Sequence, residues 1–377
     1  MRRSVLFLIS ICVAFSVHAD SSVCLKRHCL AVVDAGSSGS RVHLFAYDVG
    51  ANSQPIKISE LWSKKVKPGF STIDLNQPTI DAYLNNLFSG APEQNIPVYF
   101  YATAGMRLLP QPKQQQYYQS LKQWFSSQAQ WTLVDAKTIT GSEEGLFGWL
   151  AVNYQLGNLD SPGLPVVGVM DMGGASVQIS FPVRQTDKIN QDDLIPVNVA
   201  GQDLVLFVHS FLGLGQTVLS QQFLDTKSCL SNGYQLPSGV SGEGDASLCR
   251  QKVAKLINSV HEVDQIIQPV LLEKTSSWYA IGGVASLADD KPFSFQGRQF
   301  TSQSLLEQGD SAVCHQQWND ISTQYPGNDY LYGYCLFPAY YYALMVDGYG
   351  INPEQPINLM PSGQNADWTL GVVMRQH

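Results

Sequence analysis

The feature that most constrains this chain is a strand–turn–strand stretch that occurs twice. In the first copy an apolar run ends at Asp34, small residues form a tight turn, and an alternating strand returns over residues 40–45. The second copy has the same order around Asp171, a domain's length further along the chain. Backbone N–H groups in such turns form a concave site for a phosphate group. The repeat therefore predicts two related α/β lobes that face each other across a phosphate.

Length and charge agree with this prediction and exclude one class of partner. The chain has 377 residues, enough for two domains with sizeable cores. Its net charge of −8 argues against nucleic-acid binding, which usually leaves a basic surface. A phosphate substrate stays possible, because local backbone donors and a metal ion outweigh a mild overall repulsion.

Residues 1–19 have the pattern of a cleaved signal peptide. Arg2 and Arg3 precede an apolar run over residues 5–15, and Val17-His18-Ala19 fits a cleavage site. The apolar run is too short to span a bilayer comfortably, although an uncleaved anchor is the alternative. We expect a secreted or periplasmic protein with no membrane anchor in the mature chain. The absence of an Asn-x-Ser/Thr sequence favours a bacterial source.

Cysteines beyond the predicted signal peptide are even in number, which suggests disulfides in an exported protein. Local pairing is the simplest arrangement, although sequence alone does not fix the connectivity. Zinc is a weaker alternative, since no pair or cluster has ligand spacing. The expected disulfides are Cys24–Cys29, Cys229–Cys249 and Cys314–Cys335.

Two further stretches combine polar side chains with a predicted strand end or helix start. Thr103 follows a buried strand, at the edge where α/β sheets bind ligands, although a small packing residue is an equal alternative. Thr140 and Glu143 fit a capping box, which leaves Glu144 unassigned on the first helical turn. By itself Glu144 indicates only a favourable interaction with the helix dipole.

The returning strand of the second copy alternates, so Ser176 and Gln178 lie on one face. Two polar side chains at this spacing beside a phosphate turn could hold one water molecule. An ordinary half-exposed strand is the alternative.

Five stretches, in order, resemble the apyrases, or ecto-nucleoside triphosphate diphosphohydrolases. They are VVDAGSSGSRVHLF, YATAGMRLL, ITGSEEGLFGWLAVNY, VMDMGGASVQISF and NADWTLG. The resemblance implies the two-lobed, ribonuclease H-like fold of actin, heat-shock chaperone ATPases and sugar kinases, with each lobe built on a five-stranded sheet and the lobes related by a pseudo-twofold axis. It places lobe I at residues 20–157 and 343–377 and lobe II at residues 158–342.

The same resemblance implies a hydrolase that removes the terminal phosphate of nucleoside tri- and diphosphates with Mg²⁺ or Ca²⁺. It makes Glu144 the general base, and it makes Ser176 and Gln178 the side chains that hold the attacking water. Asp34 and Asp171 would anchor the water shell of the metal ion. Thr103 would line the cleft, and Arg107 in the same motif is interpreted as structural. The implied phosphate loops contain Ser37, Ser38, Gly39, Gly173, Gly174 and Ala175.

Recognition of the nucleoside is the least constrained part of this interpretation. The family's aromatic segment before the nucleoside site is replaced here by Ile281-Gly282-Gly283-Val284. Gly282, Gly283, Tyr349 and Trp368 are the candidates, or else another tyrosine between residues 325 and 349. Two alternatives remain open, an exopolyphosphatase-like enzyme on the same fold and a nucleotide-binding module without activity. A monomer is expected, because no heptads suggest assembly.

Overall fold

The computed structural model describes residues 23–50, 53–91, 95–184, 189–199, 201–236, 238–271, 277–364 and 366–375. The predicted signal peptide lies outside these residues. Within them, no helix has both the length and the apolar character needed to cross a bilayer.

Groups of strands and groups of helices follow one another along the chain. The strands are β1 (His28–Ala35), β2 (Ser40–Val49), β3 (Pro55–Val66), β4 (Ile96–Ala102), β5 (Trp131–Thr138), β6 (Gly168–Met172), β7 (Ser176–Val183), β8 (Leu194–Val199), β9 (Gln202–Leu212), β10 (Trp278–Gly282), β11 (Gln299–Phe300) and β12 (Ile357–Asn358). The helices are α1 (Gln77–Phe88), α2 (Ala104–Arg107), α3 (Gln111–Ser126), α4 (Gly141–Gln155), α5 (Gln216–Gln222), α6 (Ala246–His261), α7 (Val263–Ile267), α8 (Gly283–Asp289), α9 (Ser302–Gly309), α10 (Trp318–Gln324), α11 (Leu336–Tyr342) and α12 (Trp368–Met374).

Two sheets repeat one topology. The first has the order β3-β2-β1-β4-β5, in which β1 pairs antiparallel with β2 and parallel with β4. In the second, the series β9-β7-β6-β10-β12 has the same sequence of antiparallel and parallel pairings. The predicted internal repeat is therefore present as two equivalent sheets. The second sheet has seven strands rather than the expected five, because β8 extends its β9 edge and β11 extends its β12 edge.

Helices lie between the two sheets and also on the outer face of each sheet. Helices α1 and α3 cover the outer face of the first sheet, while α6, α9 and α11 pack outside the second. Helices α4 and α12 lie between the sheets, in a core that includes Val32 of β1 and Val208 of β9. These two helices cross closely, since a methyl group at Gly371 would lie 2.1 Å from the carbonyl oxygen of Phe147.

The predicted return to lobe I at residue 343 comes too early. Residues 343–348 continue α11 as a π-helical turn, and Ala343 and Leu344 are buried in the core outside the second sheet. Strand β12 pairs with β10 of the second sheet. Helix α12, near the end of the described residues, reaches the first sheet and contacts β1, β2 and β3. Residues 336–348 fill the second core before the chain crosses to the first sheet.

All three predicted disulfides are present, and the local pairing is confirmed. Cys24–Cys29 ties the start of β1, and Cys229–Cys249 joins a loop to α6. Cys314–Cys335 closes the segment that leads from α9 through α10 to α11.

Candidate active site

A cleft of about 680 Å³ lies where the carboxyl ends of the central parallel strands of the two sheets face each other. Strands β1 and β4 end at it from the first sheet, and β6 and β10 end at it from the second. This is the position at which α/β sheets bind ligands. Both predicted phosphate turns line the cleft through Ser37, Ser38, Gly39, Gly173, Gly174 and Ala175.

The two turns approach each other at Ser37 and Gly174. A methyl group at residue 174 would lie 2.6 Å from the hydroxyl oxygen of Ser37, so any larger residue there would displace this hydroxyl. Helix α2 also packs closely against Ser37, since a methyl group at Gly105 would lie 2.8 Å from the Cα of Ser37. The small residues therefore allow backbone from both lobes to surround one site.

Thr103 and Arg107 bracket the short helix α2 beside this site. Thr103 follows β4, precedes α2, is buried and lines the cleft as expected. Arg107 ends α2, and its Nη2 donates to Glu144 Oε2 at 2.7 Å and to Ser176 Oγ at 2.8 Å. The structural interpretation of Arg107 therefore missed its place among the functional residues. Its position one helical turn after Thr103 was the available signal.

The side chain of Glu144 turns inward because the neighbouring Glu143 forms the helix cap. Thr140 and Glu143 form the predicted capping box, and Glu143 also pairs with Lys137. Glu144 is buried, and burial raises the pKa of its carboxyl although Arg107 opposes the rise. A carboxylate with a raised pKa is suited to accept a proton near neutral pH.

Gln178 lies two residues after Ser176 on β7 and pairs with Asp171 of β6. Its Nε2 lies 2.8 Å from Ser176 Oγ, 3.2 Å from Glu144 Oε2 and 3.0 Å from Ser210 Oγ. Its Oε1 is buried without a hydrogen-bond partner. This amide oxygen can therefore accept a hydrogen bond from a molecule bound in the cleft.

Carboxylates are in excess in the cleft. Burial raises the pKa of Asp34 well above its usual range, and the charges of Asp367, Glu144 and Asp171 raise it further. Burial likewise raises the pKa of Asp171, with contributions from Glu144 and Asp367. Asp367 also lines the cleft but was absent from the predicted site.

This donor set fits a hard divalent cation, because Ca²⁺ and Mg²⁺ prefer oxygen ligands. In the described part of the chain, no three His, Cys, Asp or Glu side chains converge closely enough to hold a metal ion directly. That Asp34 and Asp171 anchor the water shell of a cation stays a prediction.

The nucleoside candidates divide into two groups. Gly282, Gly283 and Trp368 line the cleft, and Trp368 stacks on Phe147. The prediction for Tyr349 is wrong, since this side chain is fully buried in the core outside the second sheet.

Two other tyrosines from the predicted range line the cleft. Tyr330 is 46% exposed, and Tyr334 donates its hydroxyl to Asp290. Lys67 of the first lobe reaches Tyr330, with its Nζ 3.2 Å from the hydroxyl oxygen. Tyr330 and Tyr334 therefore replace Tyr349 as aromatic candidates for the nucleoside.

A sequence profile of the GDA1/CD39 (nucleoside phosphatase) family matches residues 25–377. The chain belongs to this family. It is 28% identical to "Probable apyrase 1" of Oryza sativa subsp. japonica, over 90% of this chain and 80% of that protein. The membership confirms the resemblance drawn from the five motifs.

Solved structures support the fold. The "nucleoside triphosphate hydrolases from Neospora caninum" match with a TM-score of 0.63 at 15% identity, over 93% of each chain. The Aquifex aeolicus member of the "Ppx/GppA protein family" matches with a TM-score of 0.55 at 14% identity, over 93% of this chain and 99% of that one. These likenesses confirm the predicted two-lobed fold.

Proposed function

We propose that this chain is a metal-dependent nucleoside triphosphate and diphosphate hydrolase, an apyrase, that yields a nucleoside monophosphate and phosphate. The observation that carries the proposal is the position of Glu144, a buried carboxylate in the same cleft as both phosphate turns. Family membership and the apyrase relatives support this activity.

Glu144 is the proposed general base. Arg107 and Gln178 both donate to its Oε2, and no other described residue is hydrogen-bonded to the carboxylate. Oε1 is thus available to accept a proton from water. The water oxygen forms a bond to the terminal phosphorus, and the bond from phosphorus to the bridging oxygen breaks. The leaving nucleotide, a diphosphate from a triphosphate or a monophosphate from a diphosphate, keeps the bridging oxygen and takes that electron pair, and the attacked phosphoryl group becomes inorganic phosphate. No covalent phosphoenzyme is required.

Ser176 and Gln178 are the proposed holders of this water. Ser176 Oγ accepts from Arg107 and Gln178, so its own hydroxyl proton can be donated to a water or a phosphate oxygen. The unpartnered Oε1 of Gln178 supplies an acceptor beside it. Together these groups orient a water before it reacts, which lowers the entropic cost of the attack.

Backbone N–H groups of the two turns would bind the phosphoryl oxygens, where charge develops in the transition state. A divalent cation, Mg²⁺ or Ca²⁺, would be held through water by Asp34 and Asp171 and would neutralise charge on the phosphates. Burial raises the pKa of both carboxyls and neighbouring carboxylates raise it further, which supports this assignment because a positive ligand would relieve that repulsion.

Gly282, Gly283 and Trp368 are proposed to line the nucleoside position, and Tyr330 and Tyr334 to contact its base. Gly282 has a φ of 77°, and a methyl group there would lie 2.5 Å from the carbonyl oxygen of Met172. Glycine thus keeps the backbone close to β6 and leaves room for a ligand.

We further propose export to the periplasm or beyond, since three disulfides suit an oxidising compartment. One chain supplies both lobes of the site, so we propose an active monomer.

Substitution of the proposed base tests this function. Phosphate release from ATP and ADP should require Mg²⁺ or Ca²⁺ and fall about 10²–10⁴-fold in Glu144→Gln, while nucleotide binding remains. The matched control is Glu143→Gln, which alters the neighbouring cap and should keep most activity. An active Glu144→Gln enzyme would refute the assignment of the base. Binding of ATP without turnover by the wild-type protein would favour a non-catalytic module instead.

A further inference from the structure

Asp367 is held at the edge of the cleft by two different contacts. It precedes α12, and its Oδ1 accepts a hydrogen bond from the backbone N–H of Thr369 at 2.9 Å. Its Oδ2 lies 3.6 Å from Nε2 of His43. The carboxylate therefore has one oxygen held by a hydrogen bond and the other beside the His43 ring while it lines the cleft.

His43 is a fully buried side chain of β2 that lies between two carboxylates. Its Nδ1 is 2.8 Å from Oε1 of Glu60, and its ring stacks beside Phe45. Its Nε2 has no hydrogen-bond partner within 3.5 Å and lies closest to Asp367 among the acidic groups described. The Glu60 contact and the stacking fix the ring, so Nε2 is kept on the Asp367 side.

The space around Asp367 explains why such a support is needed. A second cavity of about 250 Å³ borders Asp367, His43 and Glu60, on the side of the first sheet. Asp367 lines both this cavity and the cleft. Without His43, the carboxylate would have open space into which it could turn away from the cleft.

The charges of the cleft show what Asp367 faces there. Glu144 has a cationic partner in Arg107, whereas Asp34 and Asp171 have no ion pair within 4.0 Å in the described residues. Lys65 is near enough only to oppose part of the rise in the pKa of Asp34. Asp367 therefore adds negative charge to a group that already needs a positive ligand.

We propose that Asp367 is a third carboxylate of the divalent-cation site, acting on the water shell of the cation, and that His43 is the positioning residue that holds it there. This inference rests on the proposed function and deepens it, since it assigns part of the cation site to the C-terminal segment. Residues that orient metal ligands typically change metal affinity 10–100-fold when they are mutated.

The test measures cation binding without turnover. Full-length protein is titrated with Ca²⁺ in the presence of a nonhydrolysable ATP analogue, and half-saturation is followed by calorimetry and by the rise in unfolding temperature. Asp367→Asn and His43→Gln should each need about tenfold more Ca²⁺, and Asp367→Glu should recover most of the loss. The matched control is Asp193→Asn, since Asp193 pairs with His209 at 2.7 Å outside the cleft.

Unchanged half-saturation in Asp367→Asn would overturn the inference. If His43→Gln lowers the unfolding temperature without ligand but leaves Ca²⁺ half-saturation unchanged, the histidine is structural and its positioning role is refuted. Hydrolysis by the wild-type protein is assayed separately. If the wild-type protein hydrolyses ATP and ADP but Asp367→Asn has an unchanged Ca²⁺ half-saturation, this inference is refuted and the proposed function stands.

Discussion

Arg107 and Glu144 form an ion pair of 2.7 Å between Nη2 and Oε2, and the same Nη2 lies 2.8 Å from Ser176 Oγ. One guanidinium group therefore connects the proposed base on α4 to the water-holding strand of the second sheet. Both partners lie far from Arg107 in sequence, so the contact exists only in the folded chain.

Removal of this guanidinium should alter the pH dependence of hydrolysis. Burial raises the pKa of Glu144 and Arg107 opposes the rise, so Arg107→Gln should raise it further. Because the base must be ionised, the acidic limb of kcat/KM should move to higher pH. We expect kcat/KM at neutral pH to fall about tenfold or more, from the lost charge-assisted hydrogen bonds. An acidic limb at unchanged pH in Arg107→Gln would contradict the assigned effect of Arg107 on the pKa of Glu144. The kcat/KM of Arg107→Lys should lie between the values for the wild type and for Arg107→Gln.

The crowded carboxylates should cost stability when no cation is bound. The folded-state pKa of Asp171 is raised, so its contribution favours folding at about pH 4 and below and is lost as pH rises through that raised value. Asp171→Asn should therefore raise the unfolding temperature near neutral pH in the absence of a cation. The unfolding temperature of this variant should also decrease less as the pH rises. The same variant should lose most of the stabilisation by Ca²⁺ and nucleotide. Thermal unfolding from pH 4 to 8 checks both effects, with the exposed Asp225→Asn as control.

The contact between the two phosphate turns should be sensitive to one methyl group. In Gly174→Ala the added carbon would lie 2.6 Å from Ser37 Oγ, a side-chain atom that can rotate away. We expect weaker nucleotide binding with little change in the free energy of unfolding. In Gly215→Ala the carbon would lie 2.2 Å from the backbone N of Ala175, so the backbone must shift and stability should fall by about 1–3 kcal/mol. Equal destabilisation of both variants in urea would contradict this distinction.

Substitution of Tyr330 should separate nucleoside recognition from phosphate chemistry. Stacking of a base on an aromatic ring contributes about 1–3 kcal/mol, so Tyr330→Ser should raise KM for ATP and ADP about tenfold. Hydrolysis of inorganic tripolyphosphate, which has no base, should be unchanged. Tyr349→Phe is the control, because this buried hydroxyl has no hydrogen-bond partner and its loss should leave KM unaltered. Tripolyphosphate turned over better than ATP by the wild-type protein would instead favour the exopolyphosphatase-like alternative.

Interpretation of single residues from local sequence succeeded where neighbours in the chain define the environment. The capping box at Thr140 and Glu143 could be recognised because its partners are three residues apart, and this left Glu144 unassigned. The shared face of Ser176 and Gln178 followed from the alternation of a strand. By contrast, Tyr349 was placed near the cleft because a helical run of tyrosines does not show which side meets the core.

The two hairpins, their turns and the family could be predicted from the sequence, because these depend on residue spacing within short stretches. The disulfide pairing was the simplest of several arrangements, and the structure selected it. The folded chain was needed to show that Arg107 meets Glu144, that Ser37 meets Gly174 and that Asp367 faces the cleft beside His43. Those contacts depend on how two sheets and the helices between them pack. Packing is set by the whole core at once, so no local pattern records which distant side chains it brings together.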